Sequence, residues 1–150
     1  MSLEKPLGYL LCQSRRVYKN KVMGRFRENS IDLSLDEFII LLRIQLYCDA
    51  TQQKLADHLQ KDKSIVLRQI NGLLDKKYLT RSVDPNDKRK KNLVLTPKGT
   101  QILDRSREIS KQVSEELLKG VSREDRQVFE RVVETMRANA GIDDENCDCK

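Results

Sequence analysis

A mainly α-helical fold carrying one small β-hairpin is what this 150-residue chain predicts, and three observations lead to it. Apolar residues recur at helical spacing along most of the length, in runs bounded by capping residues. One interval, Tyr78 to Leu95, changes to strand-like composition on either side of a Pro-containing turn. The composition agrees: 35% charged residues and 5% aromatics, without Trp, suit helices with polar faces rather than a large β-sandwich. The length is that of a single domain.

The chain is organised around residues 62–78, DKSIVLRQINGLLDKKY. Val66, Ile70, Leu73 and Leu74 make one apolar stripe, so this stretch predicts a helix. The opposite face carries Lys61, Ser64, Ile65, Arg68 and Asn71. Such side chains suit a DNA major groove, where Arg forks onto guanine and an apolar group touches the thymine methyl. An ordinary surface helix has the same periodicity, so the neighbouring elements must decide.

Pro6 suits the first position of a long helix. Leu7, Leu10, Leu11, Ser14, Val17, Tyr18, Val22 and Phe26 line its stripe, and it ends near Glu28–Asn29. This helix precedes any compact core, so its apolar face needs a distant partner or a second chain. Ser34 to Glu37 has the spacing of a capping box. It opens a helix whose buried stripe is Leu35, Phe38, Leu42 and Leu46, broken at Cys48-Asp49-Ala50. Thr51 caps a short helix with Leu55, Ala56 and Leu59 inward, and Gln60-Lys61 turns into the 62–78 helix. Two helices joined by a tight turn, the second one basic, make a helix-turn-helix. A Gly is usual in that turn and is absent here.

Tyr78 to Val83 and Asn92 to Leu95 read as two strands. Between them, Asp84-Pro85-Asn86-Asp87 is a turn set by the Pro ring and by side chains that bond their own backbone. Lys88-Arg89-Lys90-Lys91 follows, so the hairpin is a wing with four consecutive cations near its tip. Such a run fits phosphate or minor-groove contact; the alternative is an edge kept soluble by Lys. Thr96-Pro97 opens a helix toward Lys119 with Ile102, Ile109, Val113 and Leu117 on one face, ended by Gly120. Ser122 caps the last helix, whose face is Val128, Phe129, Val132, Val133 and Met136. The fold expected is a winged helix-turn-helix over 34–98, with dimerisation helices at 1–33 and 99–141 completing one domain, and a disordered acidic tail at 142–150. Two-fold pairing fits DNA, because one recognition helix reads few base pairs and two read an inverted repeat.

Charge is uneven. Residues 54–98 carry 12 Lys/Arg against 5 Asp/Glu, whereas residues 99–150 carry 9 against 12. A field concentrated in the middle third attracts a polyanion. Cys12, Cys48, Cys147 and Cys149 have no zinc-finger spacing. With no signal peptide and no membrane-spanning run, reduced thiols in the cytoplasm are expected. One His, His58, with no Gly-rich phosphate loop and no H-E-x-x-H, argues against an enzyme; no cofactor or metal is expected.

Residues 81–89, RSVDPNDKR, followed by LVLTPKG at 93–99, resemble the wing and the fifth-helix entry of the MarR-type (multiple-antibiotic-resistance) winged-helix regulators. QKLA at 53–56 and SIVLR at 64–68 are similar to that family's third and fourth helices. The resemblance spans about Leu7 to Gly141. It implies a homodimeric transcriptional regulator, a repressor in the preferred reading and an activator in the other, that binds a palindromic operator and is released by a small aromatic or lipophilic effector. Arg89 would enter the minor groove, oriented by an ion pair from Asp87, and Ser64, Ile65, Arg68 and Gln69 would face the major groove. Lys61, Lys63, Asn86, Lys88 and Lys90 complete the expected DNA-binding set. Lys77-Tyr78 stand where many members have Gly, so a different helix exit is expected, and Leu67 is counted as core.

Two other functions compete. Cys12 lies roughly where peroxide-sensing members carry a reactive thiol, and Arg15 and Arg16 stand nearby in sequence; a buried Cys acting as a small hydrophobe is the plainer reading. Arg15, Arg16 and Arg43 could hold an anionic ligand, or lie on solvated surface. Cys147 and Cys149 alone make an incomplete metal site. The other competitor is a winged helix used as a protein-interaction module without DNA binding.

Overall fold

The computed structural model describes residues 4–47 and 50–142, the His58 side chain excepted. The expectations for Cys48, His58, Cys147, Cys149 and the 143–150 tail therefore lie outside the described residues. The elements run α1 (Leu7–Glu28), α2 (Leu35–Leu46), α3 (Gln52–Leu59), α4 (Lys63–Asp75), β1 (Leu79–Val83), β2 (Lys91–Leu95), α5 (Pro97–Leu117) and α6 (Arg123–Asn139). β1 and β2 pair antiparallel, Leu79 opposite Leu95 and Val83 opposite Lys91. This is the mainly helical winged helix-turn-helix that the sequence predicts.

The helix starts follow from local chemistry. Ser34 and Glu37 close both halves of a capping box: the Glu37 N–H donates to Ser34 Oγ at 3.1 Å and the Ser34 N–H to Glu37 Oε2 at 2.8 Å. Thr51, Asp62, Thr96 and Ser122 accept from first-turn N–H groups of α3, α4, α5 and α6. Pro6 is the residue before α1 rather than its first turn, with an extended ψ of 143°.

The helix ends hold a departure from expectation. Ser30, Gln60 and Lys77 have φ of 55°, 49° and 62°, left-handed values that favour Gly. After each, the next N–H reaches five residues back: Ile31 to Phe26, Lys61 to Ala56, Tyr78 to Leu73. Each left-handed residue also donates three residues back. These are Schellman ends made without Gly. Gln60 thus takes the position where a Gly is usual in the helix-turn-helix, and the α4 exit at Lys77 keeps the glycine-type geometry instead of differing from it. It also stops α4 at Asp75, three residues short of the predicted end.

The core joins α2, α4 and the lower halves of α1 and α5. Phe26 and Phe38 meet edge to face with centroids 5.7 Å apart. Val66, Ile70 and Leu73 are fully buried, as their spacing predicts, and each contributes roughly 1.5–3 kcal/mol. The α2 stripe is rotated from expectation: Ile40, Leu41 and Ile44 are buried with Leu35 and Phe38, Leu42 is half-buried, and Leu46 is exposed. Leu67 is exposed rather than core, because α4 turns that side away from α2. The Leu7–Val17 half of the α1 stripe is exposed too, and α6 buries no residue. Their apolar faces are uncovered within one chain.

The wing is rooted in three places. Leu79 and Leu93 are buried beneath it. The Leu93 N–H donates to the Ala50 carbonyl at 2.9 Å, docking the α2–α3 connection on β2. Thr96 ties α5 to the start of β1: its N–H donates to Tyr78 O at 3.1 Å, its hydroxyl donates to Lys77 O at 2.6 Å, and its Oγ1 accepts from the Gly99 N–H. Gly99 is close against Tyr78, where an added Cβ would lie 2.0 Å from the Tyr78 carbonyl oxygen.

Candidate nucleic-acid interface

Recognition helix and wing are built by adjoining segments, since α4 leads through Lys76–Tyr78 straight into β1. On α4, the exposed side chains are Lys63, Ser64, Ile65, Leu67, Arg68, Asn71 and Asp75. The N-terminal end is shaped by Asp62, whose Oδ1 accepts both the Ser64 N–H at 2.7 Å and the Ser64 hydroxyl at 2.5 Å. Those bonds, the hydroxyl first, hold the Asp62 carboxyl below its ordinary pKa.

Two of the residues expected at DNA are turned elsewhere. The Lys61 ammonium lies 2.6 Å from Asp36 Oδ1 on α2. Gln69 is half-buried, its Nε2 3.5 Å from Asp36 Oδ2 and its Oε1 enclosed without a partner. Arg15, expected beside Cys12, also reaches toward Asp36, at 3.8 Å. Burial raises the Asp36 pKa, but the bond and charge of Lys61, with Arg15 and Gln69, outweigh it, so the net shift is downward.

At the wing tip, Asp84 is the organiser. Its Oδ1 accepts the Asn86 N–H at 2.8 Å and the Asp87 N–H at 3.2 Å, while Oδ2 accepts from Asn92 Nδ2 at 3.1 Å. The bond from Asn86, then that from Asn92, lower its pKa. Asp87 does not take the role expected of it: its carboxylate accepts the Arg89 main-chain N–H at 3.0 Å, and no ion pair to the Arg89 guanidinium is formed. Asn86, Lys88 and Arg89 are exposed, and Lys90 is half-buried and engaged.

Several cations elsewhere in the chain are paired. Lys21 and Arg25 on α1 share Glu116 of α5, with Lys21 2.8 Å from Oε2. Lys76 lies 3.1 Å from both Glu37 oxygens, and Arg107 donates to Gln45 at 2.8 Å. Lys63, Arg68, Lys88 and Arg89 have no such partner among the described residues. Their positive field is not cancelled locally.

Other candidates lie apart. Cys12 is exposed on α1, not buried. Arg43 stacks 5.4 Å over the Tyr47 ring and donates to its hydroxyl, so it is not held ready for an anion. An open pocket of about 350 Å³ between α1 and α5 contains Arg25 and Arg105. Both are occupied, Arg25 by Glu116 and Arg105 by the Asn29 carbonyl. No described helix is long and apolar enough to cross a membrane.

The sequence reading missed three features: the Ala50 contact to the wing, the Asp36 cluster, and the Lys76 bridge to Glu37. None has a local signal, because each joins residues more than twenty positions apart. Asp84 was legible only as a turn residue.

Residues 33–91 match the sequence model described as the MarR family. Among solved structures, the chain is similar to apo wild-type MarR from E. coli, with 21% identity, TM-score 0.74, and 89% of this chain and 98% of that one covered. It is similar to the S. aureus MepR–DNA complex, with 22% identity, TM-score 0.77, and coverage of 91% and 99%. The transcriptional regulator PA3341 is similar at 23% identity and TM-score 0.78, with coverage of 91% and 98%. With the element order and the wing in agreement, the chain has the winged-helix fold of these structures, and its residues 33–91 are similar to the MarR family model.

Proposed function

We propose that this chain is a sequence-specific DNA-binding transcriptional regulator. The observation that carries the reading is the set of unpaired, exposed cations at Lys63, Arg68, Lys88 and Arg89, on the recognition helix and wing of a fold shared with a DNA-bound relative. Arg68, with Ser64 and Ile65, reads base edges in the major groove, while Arg89 and Lys88 of the wing meet backbone or minor groove. Asn86 belongs to the same exposed surface, while Lys61, Gln69 and Lys90 are less available. The proposed partner is double-stranded DNA, met in the cytoplasm.

The working unit is a homodimer on a palindromic operator. Leu7, Leu10 and Leu11 of α1 and Val128, Phe129 and Val132 of α6 are exposed apolar residues that a second copy would cover. Repression relieved by a small aromatic or lipophilic ligand extends the reading by family likeness. Gel-shift titration over a range of salt tests the central point. Arg68→Ala should weaken operator binding by about 1–3 kcal/mol and relax specificity. Arg89→Ala should weaken binding to all duplexes and reduce the salt slope by about 1. Unchanged affinity in both folded variants defeats the proposal.

A second reading is favoured by the exposure of Cys12: a thiol regulator that leaves DNA on peroxide treatment. If Cys12→Ser still dissociates from DNA on peroxide treatment, that reading is lost.

A further inference from the structure

Asp36 sits at the start of α2 and draws in side chains from three other segments: Arg15 of α1, Lys61 of the α3–α4 turn and Gln69 of α4. Lys61 is the unusual member. It directly precedes the recognition helix, where a cation can reach a phosphate as the helix enters the groove. Its side chain nevertheless turns inward, with 29% exposure against 30% for Asp36, and the 2.6 Å contact is a charge-assisted bond. A carboxylate oxygen offers an ammonium group much what a phosphate oxygen offers.

We propose that Asp36 is an internal stand-in for phosphate, occupying Lys61 and withholding it from DNA. The proposal rests on the DNA-binding reading above. Its physical content is an exchange: a phosphate engages Lys61 only by displacing Asp36, so Lys61 contributes little net affinity and little counterion release. Asp36 is a positioning residue that limits how many phosphates the free protein is ready to neutralise. Removing its charge should create a phosphate contact instead of destroying one. A residue that only supported the fold would do the reverse.

The experiment compares the full-length chain with Asp36→Asn, measuring affinity for a duplex of random sequence against salt. Asp36→Asn should bind more tightly at low salt and steepen the slope of log K against log salt by about 0.9. Between 50 and 200 mM salt its affinity should therefore fall about 3.5-fold further than that of the parent. Loss of a negative charge strengthens binding through the general field as well, so the comparison is repeated on a Lys61→Met background. There the added slope should vanish; if it persists, Lys61 is not the agent and the proposal is overturned. Unchanged or weaker binding by Asp36→Asn overturns it too.

A measurement without DNA separates this idea from the reading beneath it. Limiting acetic anhydride should modify Lys61 more slowly than exposed Lys63 in the parent, and at a comparable rate in Asp36→Asn. Equal rates in the parent overturn the sequestration alone. A chain that binds no duplex even at low salt overturns both proposals.

Discussion

Replacing Gly99 by Ala should uncouple the wing from the helix that follows it. The added Cβ would lie 2.0 Å from the Tyr78 carbonyl oxygen and 2.9 Å from its carbon, about 1 Å short of the closest approach such atoms tolerate. Both obstacles are main chain at the root of β1, so no rotamer change relieves them. The first turn of α5 must move away from Tyr78, and the Thr96 N–H bond to the Tyr78 carbonyl is the contact that yields. Overpacking of this kind costs about 1–3 kcal/mol and the lost bond about 1 more, giving roughly 2–4 kcal/mol. At this chain length that lowers the melting temperature by about 5–15 °C. Thermal unfolding followed by circular dichroism at a fixed protein concentration measures it. Gly24→Ala is the control, since its added Cβ meets nothing within 4 Å. Should Gly99→Ala melt within about 2 °C of the parent, the tight approach is not what joins wing and helix.

Lys77→Gly should stabilise the fold by up to about 1 kcal/mol, because it relieves a left-handed φ while keeping both Schellman bonds; a lower urea midpoint would show that the Lys77 side chain outweighs the strain. Acid should weaken the fold through Asp36, whose pKa is depressed on folding. A depressed carboxyl contributes stability that is present above its unfolded value of about 3.9 and lost as pH falls through the lower folded value. Urea midpoints from pH 7 down to 2.5 should therefore show a shallower decline for Asp36→Asn, and superimposable acid limbs would contradict this.

Much of the fold could be read from local pattern. Ser34-x-x-Glu37, Thr51, Thr96-Pro97 and Ser122 mark helix starts with side chains that satisfy backbone donors, and each does so in the structure. The wing was legible because Pro85 and Asp84 dictate a turn whatever surrounds them. Helix ends were harder: Gln60 and Lys77 adopt a Gly conformation within Schellman ends, which residue type does not announce. The α2 stripe was misjudged at Leu46 because the buried face runs through Ile40, Leu41 and Ile44 and leaves Leu46, in the last turn, outside it. In the candidate site, exposure of Arg68 and Arg89 followed from the pattern. The inward turn of Lys61 and Gln69 did not, because it depends on Asp36, 25 and 33 positions earlier.

Consider α6, a 17-residue helix that buries none of its residues in the single chain. Propensity alone holds a segment of that length only marginally in water. On the proposed homodimer its persistence is borrowed from association, which makes it a function of concentration. Each tenfold dilution withdraws about 1.4 kcal/mol of that support. Amide exchange along α6 should quicken as the protein is diluted, while Ile70 and Leu73 keep their protection far longer.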